Sequence, residues 1–418
     1  MKTKTCCNHI NNVVYDKETL LSARTKTTAF TRTRKLSFTD SICLLLDMRK
    51  TALQARLNNF FKQTGQDITM SQQAFSKIRA QFNHYPFEKM VRTLVADEYS
   101  GNYDVPTWNG YHLMAIDGST AQLPNDPDLI RHFGTMGGKN KRERACAGMS
   151  ILYDVLHGWV VNPVFTSSSM NERTELTKHI DFLTNMMPEI GKKTLILLDR
   201  GYPSSDVFER LERAGLKYLC RCSSKFLTAV NNAPMGDSVV EIPNGMILRV
   251  FKFLLNNGDV ETLVTNLFNE DCDAFPELYA KRWGIETAYN ILKNRLCVEN
   301  FSGRTINTVF QDFWASMVLM ILIAVMGAEA NLDVQALRDG KHNKHRYKPN
   351  IGNLVVTLRD EFIVCVFREM ESHSDHHLQR IIDTIARSVL PIRPGRSSPR
   401  NGFSRQNMRF PANSKSRL

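Results

Sequence analysis

Apolar and polar positions along the chain fall into distinct regimes. Over 38–98 apolar residues recur every three or four positions, the helical period. Phe38-Thr-Asp40-Ser-Ile-Cys-Leu-Leu-Leu opens with cap residues before an apolar run. Residues 69–82 start on Thr69 or Ser71 as a cap, put Ala74, Ile78 and Phe82 on one face, and leave Gln72, Gln73, Lys77 and Arg79 for solvent. A DNA-reading helix would look like this, and so would a plain amphipathic one. From 110 the pattern shortens to runs broken by turns, with strands at 111–117, 145–154 and 159–165 and a turn at His157-Gly158. Such close spacing predicts an antiparallel meander. A helix over 171–187 follows, capped by Asn171 with Glu172 and Glu175 in its first turn. Next come a strand ending at Asp199, a helix at 204–214 and a strand at 216–222. Residues 223–270 read as further β-strands, with turns at Asn244-Gly245 and Asn257-Gly258. Helices are expected at 279–293, 304–330 and 350–388. Residues 1–30 and the segment from Pro391, with Pro394, Pro399 and Pro411 among arginines, read as poorly ordered.

Length and charge narrow the classes. The chain has 418 residues, enough for two or three domains, and 42% apolar residues, enough for a sizeable core. The formal net charge is +12. Residues 387–418 hold eight Lys or Arg and no Asp or Glu, and 139–144 read Lys-Asn-Lys-Arg-Glu-Arg. A basic balance so clustered predicts attraction to polyanions. The nine cysteines show no paired CxxC motifs and read as reduced cytosolic thiols. His342, His345, His373, His376 and His377 lie scattered among Lys and Arg and read as solvated surface. The apolar run 313–326 is shorter than the ~20 residues a bilayer requires and reads as a core helix, so no membrane partner is expected.

The chemistry concentrates in three places. Asp117 closes Tyr-His-Leu-Met-Ala-Ile-Asp before Gly-Ser-Thr, and Asp199 closes Thr-Leu-Ile-Leu-Leu-Asp before Arg-Gly-Tyr. Both read as buried strands stopped by a turn, which puts a carboxylate at the rim where α/β sheets hold ligands. Asp before Gly is also an ordinary turn residue. The third place is the helix at 279–293. At about 100° per residue, Tyr279, Arg282, Glu286 and Lys293 fall within roughly 60° of one another. Beside this polar stripe, Leu278, Ile285, Tyr289, Leu292 and Leu296 form an apolar one. A surface helix with salt-bridging pairs would show the same charges. Three carboxylates at one sheet edge repel unless cations intervene, and an all-oxygen donor set favours Mg²⁺ or Mn²⁺.

With these motifs the chain resembles bacterial DDE transposases of the insertion-sequence-four group. The spacing Tyr279-(2)-Arg282-(3)-Glu286-(6)-Lys293 matches their YREK signature, with Asp117-Gly-Ser before it and Asp199-Arg-Gly-Tyr between. The likeness covers roughly residues 30–400. It implies an α/β fold: a ribonuclease H-like mixed sheet flanked by helices, with a β-rich insertion at about 223–270 and an N-terminal helical domain. The element order above, a meander and then helix–strand–helix–strand, agrees with that fold. The expected organisation is a poorly ordered stretch at 1–30, a helical DNA-binding domain at 31–100, a catalytic domain at 101–330, a helical region at 331–390 and a basic tail at 391–418.

The resemblance also implies chemistry and partners. Asp117, Asp199 and Glu286 would be catalytic and would hold the metal, two Mg²⁺ (or Mn²⁺) ions. Tyr279, Arg282 and Lys293 would contact transposon-end DNA. Lys139, Lys141, Arg142 and Arg200 are added as DNA contacts from the basic clusters, although Arg200 could equally pair with a nearby carboxylate. The implied partners are double-stranded DNA, as terminal inverted repeats and target, and a second copy of the chain in a synaptic homodimer. The implied location is the bacterial cytoplasm, at the nucleoid. A transposase-derived protein that binds DNA without cutting it, or another ribonuclease H-like nuclease, remains open. An Asp-nucleophile phosphatase is disfavoured, because neither Asp-Gly-Ser nor Asp-Arg-Gly-Tyr supplies an Asp-x-Asp element.

Overall fold

The computed structural model describes residues 1–32, 35–47, 51–67, 69–137, 143–223, 226–338, 344–358 and 374–393. It divides into two compact units, Met1–Leu94 with Leu292–Leu418, and Val95–Ile291.

Val95–Ile291 is built on a nine-stranded mixed sheet. Its strands are β1 (His112–Gln122), β2 (Thr135–Met136), β3 (Arg144–Asp154), β4 (Trp159–Ser167), β5 (Thr194–Leu198), β6 (Lys217–Cys222), β7 (Gly236–Glu241), β8 (Ile247–Leu254) and β9 (Val260–Thr265). Strand β3 pairs antiparallel with β4 on one side and β1 on the other, and β5 and β6 then run parallel to β1. This order, 4-3-1-5-6, is a meander followed by two parallel strands, as the run of elements in the sequence led one to expect. The parallel strand β5 is buried along its whole length, which is why its sequence is a continuous aliphatic run rather than an alternation. Strand β9 joins β6 antiparallel and β8 and β7 follow, so the segment after 223 extends the same sheet. Gly245 and Gly258, in the two turns, have φ of 80° and 84°, the left-handed backbone glycine adopts without a Cβ penalty.

Helices cover the sheet, and one is pinned by a buried histidine. The helix Glu172–Asp181 carries His179, fully buried, which bonds Ser150 Oγ on β3 (2.9 Å) and the Asn162 amide on β4 (3.0 Å). Both ring nitrogens are thereby satisfied, as a buried polar group requires.

The other unit is largely helical. The helix Ile306–Arg338 has 33 residues, longer than the run at 304–330 suggested. Its most apolar window is hydrophobic enough to cross a membrane but is 89% buried inside the protein, so it is a core helix. The N-terminus, expected to be poorly ordered, instead forms helices Thr3–Tyr15 and Lys17–Ala23. Cys6, Ile10, Val13 and Val14 are buried there at helical spacing, a stripe too sparse to stand out among polar neighbours. Pro391, expected in a flexible tail, lies in the strand Val389–Ile392, which pairs with Arg346–Pro349. Proline is compatible with such a two-stranded edge.

Arg79 overturns another expectation. It is 2% exposed rather than turned to solvent. Its guanidinium donates to Gln311 Oε1 (2.6 Å), Ser302 Oγ (2.7 Å), the Thr308 carbonyl (2.7 Å) and Asp312 Oδ1 (2.9 Å). On the same helix, Gln72–Arg79, residues Gln72, Gln73 and Lys77 are exposed as expected.

Candidate active site

The sheet register brings the two aspartates level. Strand β1 pairs with β5 from His112↔Thr194 to Ala115↔Leu197, an offset of 82 that carries Asp117 to the level of Asp199. Adjacent strands lie about 4.8 Å apart. The local reason differs at the two positions. Asp199 is the first residue after β5, in a turn closed by the Tyr202 N–H donating to the Asp199 carbonyl (3.0 Å). Asp117, by contrast, does not end its strand. Strand β1 runs on to Gln122, still paired with β3 from Asp117↔Ile151 to Gln122↔Cys146. The predicted stop at Asp117-Gly118 is therefore wrong: β5 ends there, and β1 does not.

Glu286 arrives on a helical segment that changes pitch. Phe275–Ala280 is α-helical, Lys281–Trp283 is a 3₁₀ turn, Gly284–Asn290 is α-helical, and Ile291–Arg295 is a π turn. The uniform 100° wheel drawn from sequence does not hold through it, although Leu278, Ile285, Tyr289, Leu292 and Leu296 are all buried as that wheel required. Tyr289 fastens the helix to the sheet: its hydroxyl donates to the Asp117 carbonyl oxygen (2.9 Å), with the Met149 carbonyl at 3.4 Å.

One guanidinium pairs with two of the three carboxylates and feels the charge of the third. Arg282 is 8% exposed, and its Nη2 lies 3.2 Å from Glu286 Oε1 and 3.6 Å from Asp199 Oδ2. Burial works against its charge, but the Tyr279 phenol and the carboxylates of Asp199, Asp117 and Glu286 outweigh it and raise the Arg282 pKa. The Asp117 carboxyl is pushed up to about 6, first by burial and further by the Glu172 and Asp199 charges, against the pull of Arg282 and the Gly118 N–H.

Three donors around this cluster are unspent. Arg282 Nη1 and the hydroxyls of Tyr202 and Tyr279 are buried without a hydrogen-bond partner among the described residues. Buried donors left unpaired carry a cost, which an anionic oxygen would remove. The carboxylates supply hard oxygen donors of the kind Mg²⁺ and Mn²⁺ take. They are not gathered at ligand spacing while the guanidinium lies between them. Among the described residues, only Asp271, Cys272 and Asp273 bring three potential ligand atoms within 4.8 Å of one another.

The remaining expected residues are dispersed. Arg200 is exposed and lines a cleft of about 410 Å³ with Arg173, Pro203, Ser204, Ser205, Ser223, Phe226 and Leu227. Tyr279 is half-buried, with the Arg282 guanidinium 5.9 Å from its ring centre. Lys293 sits in the π turn, in the other unit. Lys139, Lys141 and Arg142 lie outside the described residues.

Comparison with known proteins decides the family. Residues 108–323, just over half of the chain and including all three carboxylates, match the Transposase DDE domain. The chain belongs to the DDE transposase family. Among relatives of this DDE transposase, the transposase InsZ of Escherichia coli (strain K12) is 23% identical over 147 residues, 35% of this chain and 47% of that protein. A transposase for insertion sequence element IS5377 from Geobacillus stearothermophilus is 31% identical over 75 residues, 18% and 20% of the two chains. The match thus spans about half the length of the first relative and a fifth of the second. A cryo-EM structure of the piggyBac transposase synaptic complex with hairpin DNA shares the fold, with a TM-score of 0.50 at 12% identity over 95% of this chain and 87% of that one.

Sequence reasoning missed three residues at the site. Tyr202 was visible within Asp-Arg-Gly-Tyr, and Tyr289 was read only as part of an apolar stripe. Glu172 was read as a helix-end charge, with nothing in the sequence to direct it toward Asp117.

Proposed function

We propose that this DDE transposase cuts transposon ends and joins them to target DNA by metal-dependent phosphoryl transfer. One observation carries the reading: Asp117, Asp199 and Glu286, scattered over 170 positions of sequence, act on a single buried guanidinium. Asp117, Asp199 and Glu286 would hold two Mg²⁺ or Mn²⁺ ions. Divalent cations, when bound, supply Lewis-acid polarisation of a phosphodiester and an ionised water or oriented 3′-hydroxyl.

The chain's own groups would do the rest. Arg282 Nη1 and the Tyr279 hydroxyl, buried donors without partners among the described residues, suit phosphate oxygens of the element end. Arg282 offsets only part of the charge of these carboxylates, through Asp199 and Glu286, so cation binding would take over that role and release it toward DNA. Arg200 and Arg173, at the cleft beside Asp199, would hold a neighbouring backbone phosphate. Lys293, Lys139, Lys141 and Arg142 are proposed as further DNA contacts, and β7–β9 as a platform for the flanking strand. The finer assignment is to the insertion-sequence-four group, working as a synaptic homodimer on terminal inverted repeats in the bacterial cytoplasm.

The test is cleavage of the cognate ends in Mg²⁺ by Asp117→Ala, Asp199→Ala and Glu286→Ala. Each should lose activity by orders of magnitude while still binding end DNA. Full activity in any one removes that residue from the site. A panel of hybrid, junction and linear end DNA separates transposase from another nuclease of this fold.

A further inference from the structure

We propose that Glu172 is a fourth carboxylate of the cation site, contributing an oxygen to the ions held by Asp117, Asp199 and Glu286. The proposal rests on the metal-dependent reading above and adds a ligand to it.

Gly201 of the second aspartate motif makes room for this side chain: a Cβ built there would lie 2.6 Å from Glu172 Oε2. A Cβ on Gly118 would meet Met170 Cε first, at 2.8 Å, with Glu172 Cγ and Oε1 in ordinary contact at 3.4 Å. Neither glycine has the positive φ that would call for glycine on backbone grounds. Asp199-Arg-Gly therefore leaves a gap into which the Glu172 carboxylate reaches, with Gly118 against its other side. Its charge weighs on the buried Asp117 carboxyl ahead of that of Asp199.

Nothing described neutralises Glu172. It makes no hydrogen bond or ion pair with the described residues, although it is half-buried. Its position at the first turn of Glu172–Asp181 is favourable for a carboxylate, but that effect needs no approach to the sheet. The Tyr202 hydroxyl gives an independent sign of a ligand. Tyr202 is 1% exposed, its hydroxyl has no partner among the described residues, and the charges acting on it are, in order, Glu172, Asp117, Tyr289 and Asp199. A phenol so placed is a donor for an oxygen of whatever those carboxylates gather. The His179 anchor to β3 and β4 holds the helix that presents Glu172.

The experiment is Mn²⁺ binding to the full-length, DNA-free protein, followed by calorimetry and by the EPR signal of the bound ion. Glu172→Gln should bind Mn²⁺ about tenfold to a hundredfold more weakly than wild type. Gly201→Ala should weaken binding in the same direction, because its methyl displaces the end of the flexible Glu172 side chain. Glu189→Gln, at an exposed carboxylate already paired with Lys192, should match wild type. Circular dichroism melts confirm that each variant is folded. If Glu172→Gln binds like wild type while Asp199→Asn is impaired, Glu172 is only a helix-end charge and the three-carboxylate site stands. If wild type itself binds no Mn²⁺, the metal-dependent reading fails along with this one.

Discussion

Replacing Asp117 by Asn should stabilise the metal-free protein at neutral pH. The carboxyl sits at about 6 against an ordinary 3.8, with burial as the main cause and the Glu172 and Asp199 charges adding to it. A folded pKa raised above the unfolded one gives stability that is complete below the unfolded value and lost as pH rises through the folded one. The relevant window is therefore about pH 4 to 6, and above it the wild type holds an unfavourable charge. Two pKa units correspond to about 3 kcal/mol, and partial solvent contact reduces this to about 1–2 kcal/mol. Asn keeps an oxygen to accept the Gly118 N–H, so the local turn of hydrogen bonding survives. Urea unfolding in EDTA, followed by circular dichroism, should show Asp117→Asn more stable by that amount at pH 7.5 and equal to wild type near pH 4. Added Mg²⁺ should stabilise wild type and leave the variant unmoved. A variant that is less stable at pH 7.5, or a gap that ignores pH, refutes the argument that these carboxylates crowd one site.

Three further outcomes follow from the same geometry. Arg79→Ala removes one side of a buried, fully bonded pair and should cost about 3–5 kcal/mol in chemical denaturation, whereas Arg79→Met with Asp312→Leu should cost clearly less. Gly148→Ala would put its methyl 2.5 Å from the Ser167 carbonyl on the paired strand, where backbone must move, and should lower stability by about 1–3 kcal/mol in a thermal melt. Binding to end DNA should weaken linearly on a log–log plot against salt, and Arg200→Gln should reduce that slope by about one, as read by fluorescence anisotropy.

Much of the core was readable because its patterns are local. The strands β3, β5 and β6 and the helices at 172–181 and 205–213 announce themselves by short apolar runs, caps and turn residues within a few positions. The limits of local signal are equally specific. Asp-Gly at 117–118 reads as a turn, but strand β1 continues because β3 keeps pairing with it, from Asp117↔Ile151 to Gln122↔Cys146, partners well beyond the reach of a local pattern. Arg79 reads as solvent-facing because its four acceptors lie more than 220 positions downstream.

The sequence by itself determined that three carboxylates stand in Asp-Gly, Asp-Arg-Gly and Tyr-Arg-Glu-Lys patterns, which pointed toward the DDE transposases to which the domain match assigns the chain. Tertiary structure alone decided that the Asp117 level on β1 coincides with Asp199, and that Arg282 faces inward onto the carboxylates rather than outward. It also decided that the Glu172 carboxylate lies over Gly201, two residues after Asp199. The physical reason is that charge acts over a few ångströms of space and is indifferent to separation along the chain, so the partners of a buried charge are known only once the fold has brought them together.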